Sequence, residues 1–399
     1  MTIINRPIYT SRLLKYVDKS LIKVLTGQRR VGKSCILKYV AEEIRRNVPG
    51  VNIIHINLED FAFSHITNAQ LLHNEVTSKM TNEKKNYIFI DEVQEVDNFD
   101  KVLRSLILDE NCDVYVTGSN SAMLSSEIVS RLGGRSIEVR VHPLSFNEFL
   151  EFHSFGSDYQ SLMLYLQYGG LPYLSNLPEH STWDEYLEGI VNSIIFKDIV
   201  ARHSLRNSAY LEKLLLFLAS NIGNIFSAKK ISDYLKSQRT DLSVGAIQNY
   251  MSYAREAFIV NQCCRWDIKG KKYFELGEKY YFEDLGIRNR MVGFRPGDMG
   301  ALIENAVYNH LIIQGYSVKT GQLSKGNEID FIAEKCGEVK YLQVSLTVNQ
   351  ESTREREFGN LEKISDNYEK IVVTLNDRFP NTCNGIKTVT LLEFLSSFR

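Results

Sequence analysis

The stretch Gly27-Gln-Arg-Arg-Val-Gly-Lys-Ser34 constrains the fold of this chain more than any other. It reads G-x-x-x-x-G-K-S, follows the apolar run Leu21–Leu25 and precedes a helical pattern over Cys35–Ile44. Strand, glycine loop and helix in that order let backbone N–H groups converge on a phosphate at a helix N-terminus. The candidate phosphate-binding residues are Gly27, Gln28, Arg29, Arg30, Val31, Gly32, Lys33, Ser34 and Cys35. Lys33 is expected to reach the β- and γ-phosphates, and the Ser34 hydroxyl to ligate Mg²⁺.

Tyr87-Ile-Phe-Ile-Asp91-Glu92 supplies a second element. Four apolar residues make a buried central strand, and its carboxylates fall at the C-terminal edge, where open α/β sheets bind ligands. Asp91 is expected to hold Mg²⁺ through water, and Glu92 to orient or deprotonate an attacking water. A third strand, Asp113–Thr117, ends in Gly118-Ser119-Asn120. Asn120 or Ser119, with Thr117 as a further option, can contact a γ-phosphate or its water; turn chemistry is the structural alternative. Arg131 and Arg135 are candidate arginine fingers, in cis or toward a neighbouring subunit, or else solvated helix-end arginines.

Short β-branched runs alternate with helix-length segments over residues 1–150, which reads as an α/β unit with a largely parallel sheet. The pattern is helical over 151–205 and shows short helices then strands over 206–285. Residues 286–399 return to α/β, with a helix near Leu302–Gln314 and strands near Ile329–Ala333, Tyr341–Leu346 and Ile371–Thr374. With 47 Lys+Arg against 48 Asp+Glu, bulk charge gives no argument for a polyanionic partner. Residues 23–46 nevertheless carry seven Lys/Arg against two Glu, concentrated where phosphates are expected. Six cysteines without a C-x-x-C or metal spacing fit a reducing, cytoplasmic setting. No uncharged apolar run approaches the ~18 residues of a membrane span.

Thr26-Gly-Gln-Arg-Arg-Val-Gly-Lys-Ser, Asn57-Leu-Glu-Asp60 and Ile90-Asp-Glu-Val-Gln94 together resemble the AAA-type ATPases of a large bacterial and archaeal family. Thr117-Gly-Ser-Asn120, Leu144-Ser-Phe-Asn-Glu-Phe149 and Gly169-Gly-Leu-Pro172 extend the resemblance along the chain. The resemblance implies an AAA+ core, ATP rather than GTP, Mg²⁺, and a C-terminal region of unassigned function.

Ser227–Leu235 and Ser243–Met251 read as two helices capped by Ser227 and Ser243, with Ile231, Leu235, Ile247 and Met251 on apolar faces. A hairpin near 272–282 would complete a winged helix. The second helix has no Lys or Arg before Arg255. Basic residues sit instead at Lys229, Lys230, Lys236 and Arg239, and in the expected wing at Lys269, Lys271 and Lys272. A structural module and a DNA reader both remain open.

Leu302-Ile-Glu304-Asn305, Glu328-Ile-Asp330-Phe and Leu342-Gln343-Val-Ser345 resemble the frame of a PD-(D/E)XK nuclease. That resemblance implies a helix Glu, a strand Asp and an E-x-K strand gathered around Mg²⁺. A turn between Cys336 and Gly337 sets Asp330 opposite Gln343, so Ser345 falls in the lysine position. Glu304, Asp330 and Gln343 are therefore expected as remnants of a nuclease-like site that lacks its cation.

The expected architecture is α/β: a P-loop NTPase core at 1–150, a helical connector at 151–205, a winged-helix module at 206–285 and a nuclease-like domain at 286–399. The expected function is Mg²⁺-dependent ATP binding and hydrolysis. A nucleotide-switched scaffold and an ATP-dependent nuclease are the alternatives. ATP and ADP are the expected ligands, no membrane is expected, and DNA, a protein partner or further copies of the chain stay open.

Overall fold

Five strands run parallel in the first part of the chain, in the spatial order β2-β3-β4-β1-β5. They are β1 (Ile22–Thr26), β2 (Asn52–Asn57), β3 (Asn86–Asp91), β4 (Cys112–Gly118) and β5 (Ser136–Arg140). The computed structural model describes residues 4–121, 131–205, 207–268, 270, 272–273, 277–323, 327–377 and 382–398. The chain divides into two compact units, one of residues 1–142 with 256–258 and one of 143–255 with 259–399.

In the first unit β1, β3 and β4 are buried along their whole length, as continuous apolar runs in a parallel sheet require. Alternate residues serve opposite faces. Ile22, Val24, Ile88, Ile90, Val114 and Val116 share a core with Leu72 and Val76 of α3 (Ala69–Lys79) and Val102 and Leu103 of α4 (Phe99–Leu106). The helix α2 (Lys33–Asn47) buries Ile36, Val40 and Ile44, spaced four apart on one stripe.

The charge concentration over 23–46 is dispersed by the fold. Lys23 is fully buried and paired with Asp113, tying β1 to β4. Arg45 and Arg46 pair with Glu42 and Glu43 on their own helix. Only part of that charge therefore remains beside the glycine loop. The sequence count did not separate a lysine facing the sheet interior from one facing a ligand.

The second unit contains the segments expected as connector, helical pair and tail, apart from 256–258. Helices Ala228–Ser237 and Val244–Glu256 bury Ile231, Leu235, Ile247 and Met251. Ser227 accepts from the Lys230 N–H at 3.3 Å, and Ser243 from the Ala246 N–H at 3.2 Å. The hairpin expected at 272–282 is not formed as one piece. Strand β6 (Val260–Cys263) pairs antiparallel with β9 (Lys279–Phe282). Between them, β7 (Arg265–Asp267) and β8 (Lys272–Tyr273) pair with each other and extend a larger sheet. The four residues of β9 are all buried, which places that strand inside the unit and not on an exposed wing. Lys269 and Lys271 lie outside the described residues.

The larger sheet has eight strands, in the order β14-β15-β13-β12-β11-β10-β7-β8. It adds β10 (Ser317–Gln322), β11 (Glu328–Lys335), β12 (Glu338–Ser345), β13 (Glu369–Thr374), β14 (Thr382–Cys383) and β15 (Ile386–Thr390). The β11–β12 register pairs Phe331 with Leu342 and Lys335 with Glu338, the register expected for a turn at Cys336-Gly337. Both turn residues have positive φ.

Candidate active site at the glycine loop

The loop joins β1 to α2. Gly27 has φ +144°, and a Cβ there would lie 2.1 Å from the Val141 carbonyl oxygen, so only glycine allows this close approach. Gly32, at φ +96°, occupies the N-cap of α2 and turns the chain into the helix. Arg6, buried at the start of α1 (Pro7–Leu14), donates from Nη1 to the Val31 carbonyl at 2.8 Å and braces the loop. Sequence reasoning missed Arg6, and its place just before Pro7 gives only a weak signal.

Lys33 is almost fully buried and lies back over the loop. Its Nζ donates to the Gly27 carbonyl at 2.9 Å and the Gln28 carbonyl at 3.1 Å, and stands 3.9 Å from Glu92 Oε1. Ser34 follows it in the first turn of α2, and Cys35 is exposed. Arg29 pairs with Glu59 at 3.1 Å, while Arg30 adopts φ +68°. The Gln28 amide is buried, and neither its Nε2 nor its Oε1 has a partner among the described residues. Buried amides left unpaired are rare. A polar ligand over the loop would satisfy this one.

Strand order explains how the remaining groups meet. Strand β4 lies between β1 and β3, with Leu25 beside Thr117 and Ile90 beside Val116. Thr117 donates its hydroxyl to Asp91 Oδ1 and accepts the Glu92 backbone N–H at 2.9 Å. Glu92 sits at φ +56°, an uncommon conformation for a non-glycine residue and a frequent mark of functional sites. Its Oε2 accepts from Gln94 Nε2, which also lies 3.4 Å from Ser119 Oγ. Thus Lys33, Asp91, Glu92 and Thr117 are gathered, and Ser119 is reached through Gln94. Asn120 is buried just beyond the strand end. Sequence reading quoted Gln94 in a motif without giving it a role.

The two arginines lie elsewhere. Arg135 immediately precedes β5, whose first residue pairs with Ile22 at the start of β1. The loop leaves the far end of β1, about 16 Å along at ~3.3 Å per residue. The backbone of Arg135 therefore starts at the edge of the sheet opposite the loop. Arg131 is half-exposed and faces Asp100 at 3.9 Å, in the first turn of α4.

The donor set suits Mg²⁺, which takes hydroxyl, carboxylate and water oxygens. Ser34 and Asp91 are the residues that would hold it. Among the described residues no helix is long and apolar enough to cross a membrane.

Two further motifs have structural explanations in the second unit. Ser145 and Glu148 form a capping box at the start of the helix Phe146–His153. Gly170 accepts from the Leu144 N–H at 2.7 Å and donates its own N–H to Asp284 Oδ2 at 2.7 Å.

Residues 19–150 match a family described as an AAA domain, and residues 159–298 match a domain of unknown function, DUF8612. An uncharacterized protein of Haemophilus influenzae is 34% identical over 98% of this chain and 98% of its own length. An uncharacterized protein of Methanocaldococcus jannaschii is 32% identical, covering 89% of this chain and 82% of its own length. Among solved structures, a Walker-type ATPase of Pyrococcus abyssi superposes with TM-score 0.51 at 15% identity, over 72% of this chain and 95% of that one. The chain belongs to the family that the Haemophilus and Methanocaldococcus proteins represent, and its first unit carries an AAA domain on a P-loop ATPase fold.

Proposed function

We propose that the first unit binds ATP with Mg²⁺ and hydrolyses it. The observation that carries this reading is the convergence of Lys33 and Glu92, 3.9 Å apart, at the end of a glycine loop. Lys33 supplies positive charge toward the β- and γ-phosphates, and the loop N–H groups with the α2 N-terminus add to it. Gln28 offers an amide to the ligand. Ser34 and Asp91 hold Mg²⁺, which neutralises phosphate charge when bound. Glu92 takes the proton of the attacking water or orients it, held by Gln94 and by the Thr117 contact to its backbone.

Nucleotide titration and a phosphate-release assay on three chains test the proposal. Lys33→Ala abolishes ATP binding. Glu92→Gln keeps binding and loses turnover by about 10²-fold or more. Turnover that survives Glu92→Gln removes the base assignment.

A nucleic-acid partner for the second unit is supported by the exposed Lys229, Lys230 and Lys236 on the helix Ala228–Ser237 and Arg239 just after it. ATP turnover stimulated by DNA, with a steep salt dependence, checks that reading. Arg131 then serves a neighbouring copy if the active species is oligomeric. Glu304, Asp330 and Gln343 give the tail a nuclease-like frame, which we read as inactive in cleavage.

A further inference from the structure

In the second unit three carboxylates converge around a lysine that lies far from them in sequence. Glu304 comes from the helix Met299–Ile313, and Glu328 and Asp330 from β11. Lys279, the first residue of β9, places its Nζ 2.5 Å from Glu328 Oε1, 3.0 Å from Glu304 Oε1 and 3.7 Å from Asp330 Oδ1. Its side chain is only 4% exposed. Tyr281, two residues along and so on the same face of the strand, donates to Glu304 Oε1 at 2.6 Å.

The second Asp330 oxygen and the Gln343 side chain are engaged as well. Asp330 Oδ2 accepts the Val344 N–H at 2.8 Å. Gln343 Oε1 accepts the Asp330 N–H at 2.7 Å, and Gln343 Nε2 donates to Glu357 Oε2 at 2.6 Å. Glu304, Asp330 and Gln343 are therefore together, as the sequence frame expected, but each already accepts a proton donor from the chain.

A divalent ion needs carboxylate oxygens at about 2.0–2.6 Å. The point from which it could reach Glu304, Glu328 and Asp330 together is where the ammonium stands. Both cations cannot share it, and a displaced ammonium would stay buried without its counter-charges, which is strongly unfavourable.

We infer that Lys279 is the resident cation of this centre, occupying the place of a divalent metal between Glu304, Glu328 and Asp330. Ser345 stands where the frame expects a lysine, and another strand supplies one that closes the site. The centre then ties β9, the helix Met299–Ile313 and β11 together by charge and takes up no Mg²⁺ or Mn²⁺. This inference concerns the second unit and is independent of the ATPase reading.

Mn²⁺ titration of the full chain, stripped of nucleotide and followed by paramagnetic resonance and thermal unfolding, tests it. Wild type and Asp330→Asn should bind the same number of Mn²⁺ ions. Lys279→Ala, which vacates the point and leaves the carboxylates uncompensated, should gain one bound Mn²⁺. Its midpoint should rise with the ion by about 5 °C, as a ligand in excess of its dissociation constant produces. The gain should vanish in Lys279→Ala/Asp330→Asn. If Lys279→Ala does not fold by itself, folding restored by Mn²⁺ supports the inference and its absence counts against it. A wild-type Mn²⁺ ion lost in Asp330→Asn would overturn it, as would Mn²⁺-dependent DNA cleavage lost in that variant. A folded Lys279→Ala that gains no ion would also overturn it.

Discussion

The Gln94 amide holds the Glu92 carboxylate, donating from Nε2 to Oε2 at 2.5 Å. The same nitrogen lies 3.4 Å from Ser119 Oγ, so one side chain joins the ends of β3 and β4 across the proposed water site. Because the Glu92 backbone is left-handed, its carboxylate has no regular strand neighbour to fix it. Gln94 supplies that orientation. Replacing it by Ala should lower kcat about tenfold or more and leave ATP affinity within about twofold, the pattern of an interaction spent on the transition state. Steady-state phosphate release and nucleotide titration read the two effects separately. Equal losses in both would assign Gln94 to ligand binding instead.

Thr117 presents a different dependence. Its hydroxyl donates to Asp91 and accepts from the Glu92 N–H, and all three residues are buried. Thr117→Val keeps the shape and removes both bonds, leaving a buried backbone N–H unpaired. The expected cost is about 1–3 kcal/mol of unfolding free energy, measured by urea titration. Turnover should fall as well, because Glu92 loses its backbone anchor. A variant with wild-type stability and activity would show that water replaces the hydroxyl without loss.

How much of this was legible in sequence depended on how locally each feature is encoded. The glycine loop, Lys33 and the Asp91-Glu92 pair could be placed because their spacing is tied to a single strand-loop-helix turn. The β11–β12 register could be read because the turn at Cys336-Gly337 fixes which residues face one another. Gln94 could not be assigned a partner, since its contact follows from the φ of Glu92 and not from any side-chain period. The place of Arg135 relative to the loop could not be read, because it is set by the β1–β5 pairing, which sequence adjacency hides. Lys279 was hidden in a segment expected to form a wing. Its one signal was a lysine opening the aromatic run Tyr280-Tyr281-Phe282, all buried in the fold.

The Gly169-Gly170-Leu171-Pro172 turn gives a prediction about packing in the second unit. A Cβ on Gly170 would lie 2.5 Å from the Leu144 carbonyl oxygen and 2.9 Å from its nitrogen, both backbone atoms that cannot swing aside. Gly170→Ala should therefore destabilise this unit by about 1–3 kcal/mol, as overpacking does. Gly189→Ala is the matched control, because a Cβ there meets nothing within 4 Å and the residue lies in the helix His180–Ser193. That substitution should be neutral or stabilising by up to about 1 kcal/mol. Thermal unfolding of the two variants should move in opposite directions.

His310 provides a pH dependence with a definite sign. Burial, the larger effect, pushes its imidazole from 6.5 down to about 4, against the smaller upward effect of its hydrogen bond to the Phe398 carbonyl. Since the folded value lies below the unfolded one, the unfolded chain takes up the proton first on acidification. The contribution is therefore fully present above pH 6.5 and is lost as pH falls from there toward 4. At about 1.36 kcal/mol per unit the ceiling is roughly 3 kcal/mol. Asp284 opposes it in part, because burial raises its carboxyl from 3.8 to about 6 and its neutral form favours the fold in that window. His153, lowered to about 4 mainly by burial, acts in the same direction as His310. His310→Gln retains a donor for Phe398 without a titrating ring, so it isolates one group. Its unfolding free energy should track wild type at a fixed offset above pH 6.5. Below that, wild type should lose up to about 3 kcal/mol more than the variant by pH 4. Parallel curves across the whole range would show that the ring is not held neutral by its burial.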